Sequence, residues 1–110
     1  MDLLEGKRKS AVLCVGADRK LLETRAHVVE TTGAHAVVVS DEAGIRDALS
    51  ATSFCAAIIG RSFSPEVQAN FVSIIRDHAG DIPVLTLDHN LVDPIEIVNF
   101  VVTAFAGGGG

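Results

Sequence analysis

The residues of this chain that could do chemistry all follow short apolar runs. Asp88 and His89 form an acid–imidazole pair that could bind a metal or pass on a proton. Arg61, just before a predicted helix, could hold an anion. Asp18 could be a residual metal ligand. The simpler alternatives are that Asp18 caps a helix, that Arg61 pairs with an acid, and that Asp88 and His89 are solvated. The seven candidates are Gly16, Ala17, Asp18, Gly60, Arg61, Asp88 and His89.

Motifs of the common enzyme and cofactor classes are absent from the sequence. There is no GxGxxG, no Walker loop, no nucleophile elbow and no HExxH, and no serine has a recognisable His–Asp arrangement. We therefore expect no enzyme activity, no catalytic residue, no cofactor and no metal ion.

The elements that must position these residues alternate in type along the chain. Short apolar runs predict strands at 11–15, 36–39, 55–59 and 82–87, and amphipathic stretches predict helices at 19–32, 41–50, 65–79 and 94–105. This order predicts an α/β fold: a doubly wound parallel sheet of four to five strands with helices on both faces. Sites in such folds lie at the carboxyl ends of the strands, where all seven candidates fall.

The length of 110 residues fits one domain. We expect an N-terminal lead at 1–9, the α/β domain at 10–106 and a flexible glycine tail at 107–110. The net charge is -5, the cations are scattered apart from Lys7 to Lys9, and all five aromatic residues are Phe. These features argue against a nucleic-acid partner, because such partners require basic surfaces and stacking side chains.

The remaining composition argues against a membrane or disulfide-rich protein. No apolar run approaches the roughly 18 residues of a membrane span, and the first ten residues lack the apolar region of a signal peptide. We expect a cytoplasmic protein without a membrane partner. If Val15 lies beside Ile59, then Cys14 and Cys55 are about 10 Å apart, too far for a disulfide bond. The sequence thus predicts two free, buried thiols.

The first strand and its turn resemble those of response-regulator receiver domains. The similarity covers residues 9 to 105 and rests on the run from Val12 to Leu22, on Ala57 to Gly60 with Pro65 beyond, and on Ile82 to Leu87. It implies a flavodoxin-like fold and a bacterial two-component signalling context.

The chemistry of that family is where this sequence departs. A receiver holds Mg²⁺ with two acids after its first strand, and an aspartate after its third strand accepts the phosphoryl group. Here Gly16 and Ala17 stand at the acidic pair, Gly60 at the phosphoacceptor and Asp88 at a Thr/Ser position. A Lys–Pro pair of the family is matched by Asp93-Pro94. The resemblance therefore implies a degenerate receiver without aspartyl phosphorylation.

The chain is also shorter than a receiver near its C-terminus. A full receiver has a helix and a strand between its fourth strand and its last helix, whereas only residues 88–93 lie there in this chain. Two interpretations stay open. Either the chain stops after a fourth helix, or the helix–strand unit is deleted and the segment 93–105 takes the place of the last helix. We favour the second.

The last predicted helix is apolar on most of its surface. Its polar side chains form one narrow stripe, so part of the apolar surface should meet another molecule. We expect a protein partner or a second copy, a homodimer above all, at an interface of Ile97, Val98, Val101, Val102 and Phe105. The sequence thus favours a protein–protein interaction module in signal transduction. The alternative is a domain that binds a small ligand or anion in a crevice at Gly16 and Gly60.

Overall fold

The computed structural model describes residues 11–60, 63–87 and 94–108. Their elements alternate as the sequence predicts, and strands and helices follow one another in this order: β1 (Ala11–Val15), α1 (Arg19–Glu30), β2 (His35–Val39), α2 (Glu42–Ala51), β3 (Phe54–Ile59), α3 (Pro65–Ala79), β4 (Val84–Thr86) and α4 (Pro94–Gly108).

The four strands form one parallel sheet in the order β2-β1-β3-β4. β1 is central and wholly buried, as its continuous apolar run predicts for a strand that is covered on both faces. The predicted register is confirmed, since Val15 lies beside Ile59 and Cys14 beside Ile58. The doubly wound α/β prediction is therefore confirmed.

Alternation along the strands divides the core into two layers. Val12, Cys14 and Ile58 face α1 and α4, whereas Leu13, Val15 and Ile59 face α2 and α3. Successive side chains of a strand point to opposite faces, so each strand contributes to both layers. Helices consequently cover both faces of the sheet.

The position of α4 decides between the two interpretations of the short C-terminal region. α2 and α3 lie on the same face because their crossovers run in the same direction across the sheet, and a helix continuing outward from β4 would join them there. α4 packs instead against α1 and β3. It therefore takes the place of a final helix returning over the opposite face, and the intervening helix–strand unit is missing.

Local sequence explains where two of the helices begin. The side chain of Asp41 accepts a hydrogen bond from Gly44 N at 2.8 Å, so Asp41 is the N-cap of α2. Ser64 Oγ accepts from Val67 N at 3.3 Å, and Pro65 occupies the first turn of α3.

Three predicted elements differ from the structure by two residues or more at one end, and the other bounds agree within one residue. α1 ends at Glu30, because the hydroxyl groups of Thr31 and Thr32 bond to preceding carbonyls in a turn. β4 is limited to Val84–Thr86, shortly after Pro83, which lacks an N–H for the sheet. α4 continues to Gly108, so the first two residues of the predicted tail 107–110 are helical. Glycine disfavours a helix by only about 1 kcal/mol relative to Ala, and does not forbid one.

The elements of the described residues include no helix that is both long and apolar enough to cross a membrane. The segment 1–9, predicted as a lead, lies outside the described residues.

Candidate functional site

The two glycines predicted to form a crevice lie side by side at the carboxyl ends of β1 and β3. Gly60 N donates to Val15 O at 2.7 Å, and Gly16 N donates to Val39 O at 3.1 Å. These bonds extend the parallel ladder by one residue beyond the strands, and both glycines are buried. Neither residue supplies a side-chain oxygen for a metal ion or a phosphoryl group.

Two side chains of α1 lie beside these glycines. A Cβ added at Gly60 would lie 2.8 Å from Nη1 of Arg25, and a Cβ at Gly16 would lie 3.8 Å from the same nitrogen. The Cδ1 atom of Leu22 would be 3.1 Å from a Cβ at Gly16. Arg25 and Leu22 therefore line this part of the edge, and the crevice expected at Gly16 and Gly60 stays a prediction.

Sequence reasoning missed Arg25. The signal for it was its place on α1, three residues after the inward-facing Leu22 and opposite two strand ends that carry no side chain. Side chains one turn apart share a helix face, so Arg25 is directed toward the same strand ends as Leu22.

Gln68 is the second polar residue that the sequence did not single out. Its Nε2 donates to Gly60 O and to Leu87 O, each at 2.9 Å. Leu87 N also donates to Ile59 O at 2.8 Å, so Gln68 joins the ends of β3 and β4 where the ladder stops. One side chain from the first turns of α3 thus satisfies two carbonyls at this edge.

Asp18 is an N-cap, as the simpler interpretation holds. Its Oδ1 accepts hydrogen bonds from Lys20 N at 3.0 Å and Leu21 N at 3.2 Å, and the residue is exposed. Ala17, also exposed, contributes only a methyl group. Asp18 therefore stabilises the start of α1 through backbone groups that would otherwise lack a partner.

The other predicted crevice residues, Arg61, Asp88 and His89, lie outside the described residues. Among residues 11–60, 63–87 and 94–108, no three His, Cys, Asp or Glu side chains come close enough together to hold a metal ion.

Both thiols are free, and they differ in burial. Cys14 is buried, and this burial raises the pKa of its thiol from 9.0 to about 12; the charge of Arg25 lowers it and that of Glu30 raises it by smaller amounts. Cys55 is only partly buried, and its Sγ donates to Ala11 O at 3.3 Å. Burial raises the pKa of the Cys55 thiol to about 11. Neither thiol is ionised at neutral pH, which argues against nucleophilic chemistry.

The predicted interface on α4 needs a correction. Ile97 is 4% exposed and Val101 is fully buried, because both pack into the core layer beneath α1. They hold α4 on the sheet and are not available to a partner. The side chain of Phe105 is outside the described residues.

An apolar stripe nevertheless remains on the outer face of α4. Ile95 is 55% exposed, Val102 is 47% exposed and Val98 between them is half-buried. These positions recur at helical spacing, so they form one continuous strip, which we call the α4 stripe.

This strand order and this helix placement define a receiver-like α/β fold. Among solved structures, a response regulator receiver protein from Pseudomonas putida is similar, with a TM-score of 0.64 and 16% identity over 88% of this chain and 80% of that one. The signal receiver domain of a signal transduction histidine kinase from Syntrophus aciditrophicus has a TM-score of 0.61 and 14% identity, over 89% and 91% of the two chains. Such identities show the receiver fold. No family model and no curated protein sequence matches the chain.

Proposed function

We propose that this chain is a receiver-like signalling domain that does not accept a phosphoryl group and acts by protein contact, chiefly by dimerisation. The similar solved structures come from a response regulator and from a signal transduction histidine kinase, and this supports a signalling role. The observation that carries the proposal is the presence of Arg25 Nη1 in the space beside Gly60, where the resemblance expects an aspartate.

Phosphoryl transfer requires groups that this edge does not supply. Gly60 has no side-chain carboxylate with which to attack phosphorus, and Gly16 and Ala17 have no side-chain oxygen with which to hold Mg²⁺. The Asp18 carboxylate is bonded to the first N–H groups of α1. Developing negative charge on a phosphoryl group needs positioned cations and a nucleophile in line. A guanidinium beside a glycine provides a charge but no nucleophile.

The α4 stripe supports contact with a second copy. Glu96 is the only charged residue of α4, so two such helices can pack antiparallel without bringing like charges opposite each other. The stripe consists of two exposed and one half-buried apolar side chains. Stable dimers bury about 800 Å² per partner, so an interface centred on this stripe forms a weak, concentration-dependent dimer.

The dimerisation half of the proposal is tested by light scattering over a concentration series. Wild-type mass should rise with concentration, and Val102→Glu should reduce that rise, because it places a carboxylate in the α4 stripe. Ser73→Glu is the matched control, since it adds the same charge at an exposed position of α3 on the opposite face. Equal behaviour of Val102→Glu and wild type would refute a dimer through α4.

The phosphorylation half is tested by intact-mass measurement after incubation with Mg²⁺ and acetyl phosphate. The wild-type mass should stay unchanged over times that modify an active receiver in parallel. A stoichiometric phosphoryl adduct would refute the proposal.

A further inference from the structure

The outer edge of β2 carries backbone groups that point away from the sheet. Val39 O accepts from Gly16 N, so the backbone of Val39 is directed toward β1. Alternate residues of a parallel strand bond to the same side, so His35 and Val37 also face β1 while Ala36 and Val38 face outward. Within the described part of the chain, nothing is hydrogen-bonded to the outward N–H and C=O groups of Ala36 and Val38.

This edge also lacks the features by which proteins protect exposed strands. β2 has five residues, contains no proline, lysine or acidic residue, and ends in three valines. Val38 is 47% exposed, which is unusual for a large apolar side chain in the described residues. β4, at the opposite edge, pairs over three residues only and follows Pro83. Unprotected edge strands are templates for pairing with another strand.

We propose that β2 pairs with β2 of a second copy, antiparallel and about a twofold axis at Val37. Ala36 of each copy then lies opposite Val38 of the other. Each of these two pairs exchanges both N–H···O bonds, so four hydrogen bonds join the two sheets. The exposed Val38 side chain packs against Ala36 of the second copy on the α1 side of the joined sheet.

The Asp41 carboxylate favours the antiparallel direction. Asp41 follows the end of β2, so antiparallel pairing about Val37 places it opposite Gly33 of the other copy and keeps the two Asp41 carboxylates at opposite ends of the joined strands. A parallel pairing would bring the two Asp41 side chains together. The pattern of two outward residues is therefore complementary to itself, as an isologous interface requires.

The contact proposed at β2 is separate from the α4 stripe. α4 packs against α1 and β3, whereas β2 is the edge strand beyond β1. A chain that uses both contacts grows beyond a dimer at high concentration, and loss of either contact limits it to a dimer. The proposal therefore does not depend on the one made for α4.

The test isolates β2 by working in the Val102→Glu background, in which the α4 stripe is disrupted. Light scattering should show that this variant still dimerises, and that Val102→Glu with Val38→Pro is a monomer. Pro at 38 removes an N–H that makes no bond to β1, so the fold should tolerate it. Val37→Pro is the matched control, because the N–H of Val37 faces β1 and not the outer edge. Loss of that N–H should lower the melting temperature strongly. Val38→Lys serves as a second variant and should also give a monomer.

Hydrogen exchange gives an independent measurement. The amides of Ala36 and Val38 in the Val102→Glu protein should be protected at least 10-fold more at high than at low protein concentration. The amide of Val37 should be protected at both concentrations. A dimer that survives Val38→Lys, a Val102→Glu protein that is monomeric throughout, or concentration-independent exchange at Ala36 and Val38 would each overturn the β2 proposal. Failure of the α4 proposal is seen separately, because the Val102→Glu variant would then show the same light-scattering mass as the wild-type protein at every concentration.

Discussion

The carboxyl edge of the sheet and its lateral surfaces use their polar groups in opposite ways. At the carboxyl edge, Gly60 has its N–H and C=O hydrogen-bonded and a guanidinium against its Cα. At the outer edge of β2, the backbone groups of Ala36 and Val38 point away from the sheet, and on α4 two apolar side chains are half exposed. The backbone groups of Gly60 are bonded within its own chain, whereas those of Ala36 and Val38 offer the pattern of an interface.

The difference supports the proposal that this receiver-like fold acts by protein contact and not by phosphoryl transfer. Sites in doubly wound folds lie at the carboxyl ends of the strands because loops and helix N-termini converge there. In this chain, Arg25 and Leu22 lie beside Gly16 and Gly60, two positions at which the resemblance expects acidic side chains. Under the proposals made above, function lies at the outer edge of β2 and at the α4 stripe.

The largest expected effect on the free energy of unfolding comes from truncating a buried residue of α4, and an exposed residue of the same helix serves as the comparison. Ile97→Ala removes a side chain that is 4% exposed and should lower the free energy of unfolding by about 2 to 5 kcal/mol. Val102→Ala, on the exposed stripe of the same helix, should change it by less than about 0.5 kcal/mol. Urea unfolding measures both. Equal effects would mean that the α4 stripe is not on the surface.

Substitution of Gln68 tests how much its hydrogen bonds to the ends of β3 and β4 stabilise the fold. Gln68→Ala leaves the carbonyls of Gly60 and Leu87 without this donor and should cost about 2 kcal/mol. Asn70→Ala is the control, because Asn70 on the same helix makes one exposed bond of 3.3 Å to Glu42. Thermal unfolding of the two variants should therefore differ by several degrees.

Gly60 and Arg25 should be energetically coupled. Gly60→Ala puts a Cβ at 2.8 Å from Nη1 of Arg25 and at 3.2 Å from Val15 O, so the guanidinium must move. We expect a loss of about 1 kcal/mol, smaller in an Arg25→Ala background. If the free-energy changes of Gly60→Ala and Arg25→Ala simply add in the double variant, Arg25 does not contact Gly60.

The buried thiol of Cys14 should have the smallest effect on the free energy of unfolding near neutral pH. Burial raises the pKa of Cys14 from 9.0 to about 12, so above pH 9 the unfolded chain loses a proton that the folded chain keeps. The contribution of the Cys14 thiol to the free energy of unfolding is therefore complete below pH 9 and decreases as the pH rises toward 12. Urea unfolding at pH 8 and pH 10 measures this, with Cys14→Ala as the variant in which this part of the pH dependence disappears.

Much of the fold could be predicted because strand periodicity and turn chemistry are local. The alignment of Val15 with Ile59 followed from strands that end together, and the Asp18 cap followed from an acid placed before a helix. Arg25 and Gln68 could not be predicted, because their roles depend on strand ends that are distant in sequence. α4 is apolar on most of its surface, so periodicity alone could not separate the buried Ile97 from the exposed Val102.

The central proposal is that the carboxyl edge binds neither Mg²⁺ nor a phosphoryl donor, and amide NMR of the wild-type protein tests it most directly. Mg²⁺ and acetyl phosphate are added while the N–H signals of Gly16 and Gly60, which donate to Val39 O and Val15 O, are followed. The account predicts no saturable change in these two signals at millimolar concentrations of either reagent. Saturable shifts at Gly16 and Gly60 would show an open site and contradict it.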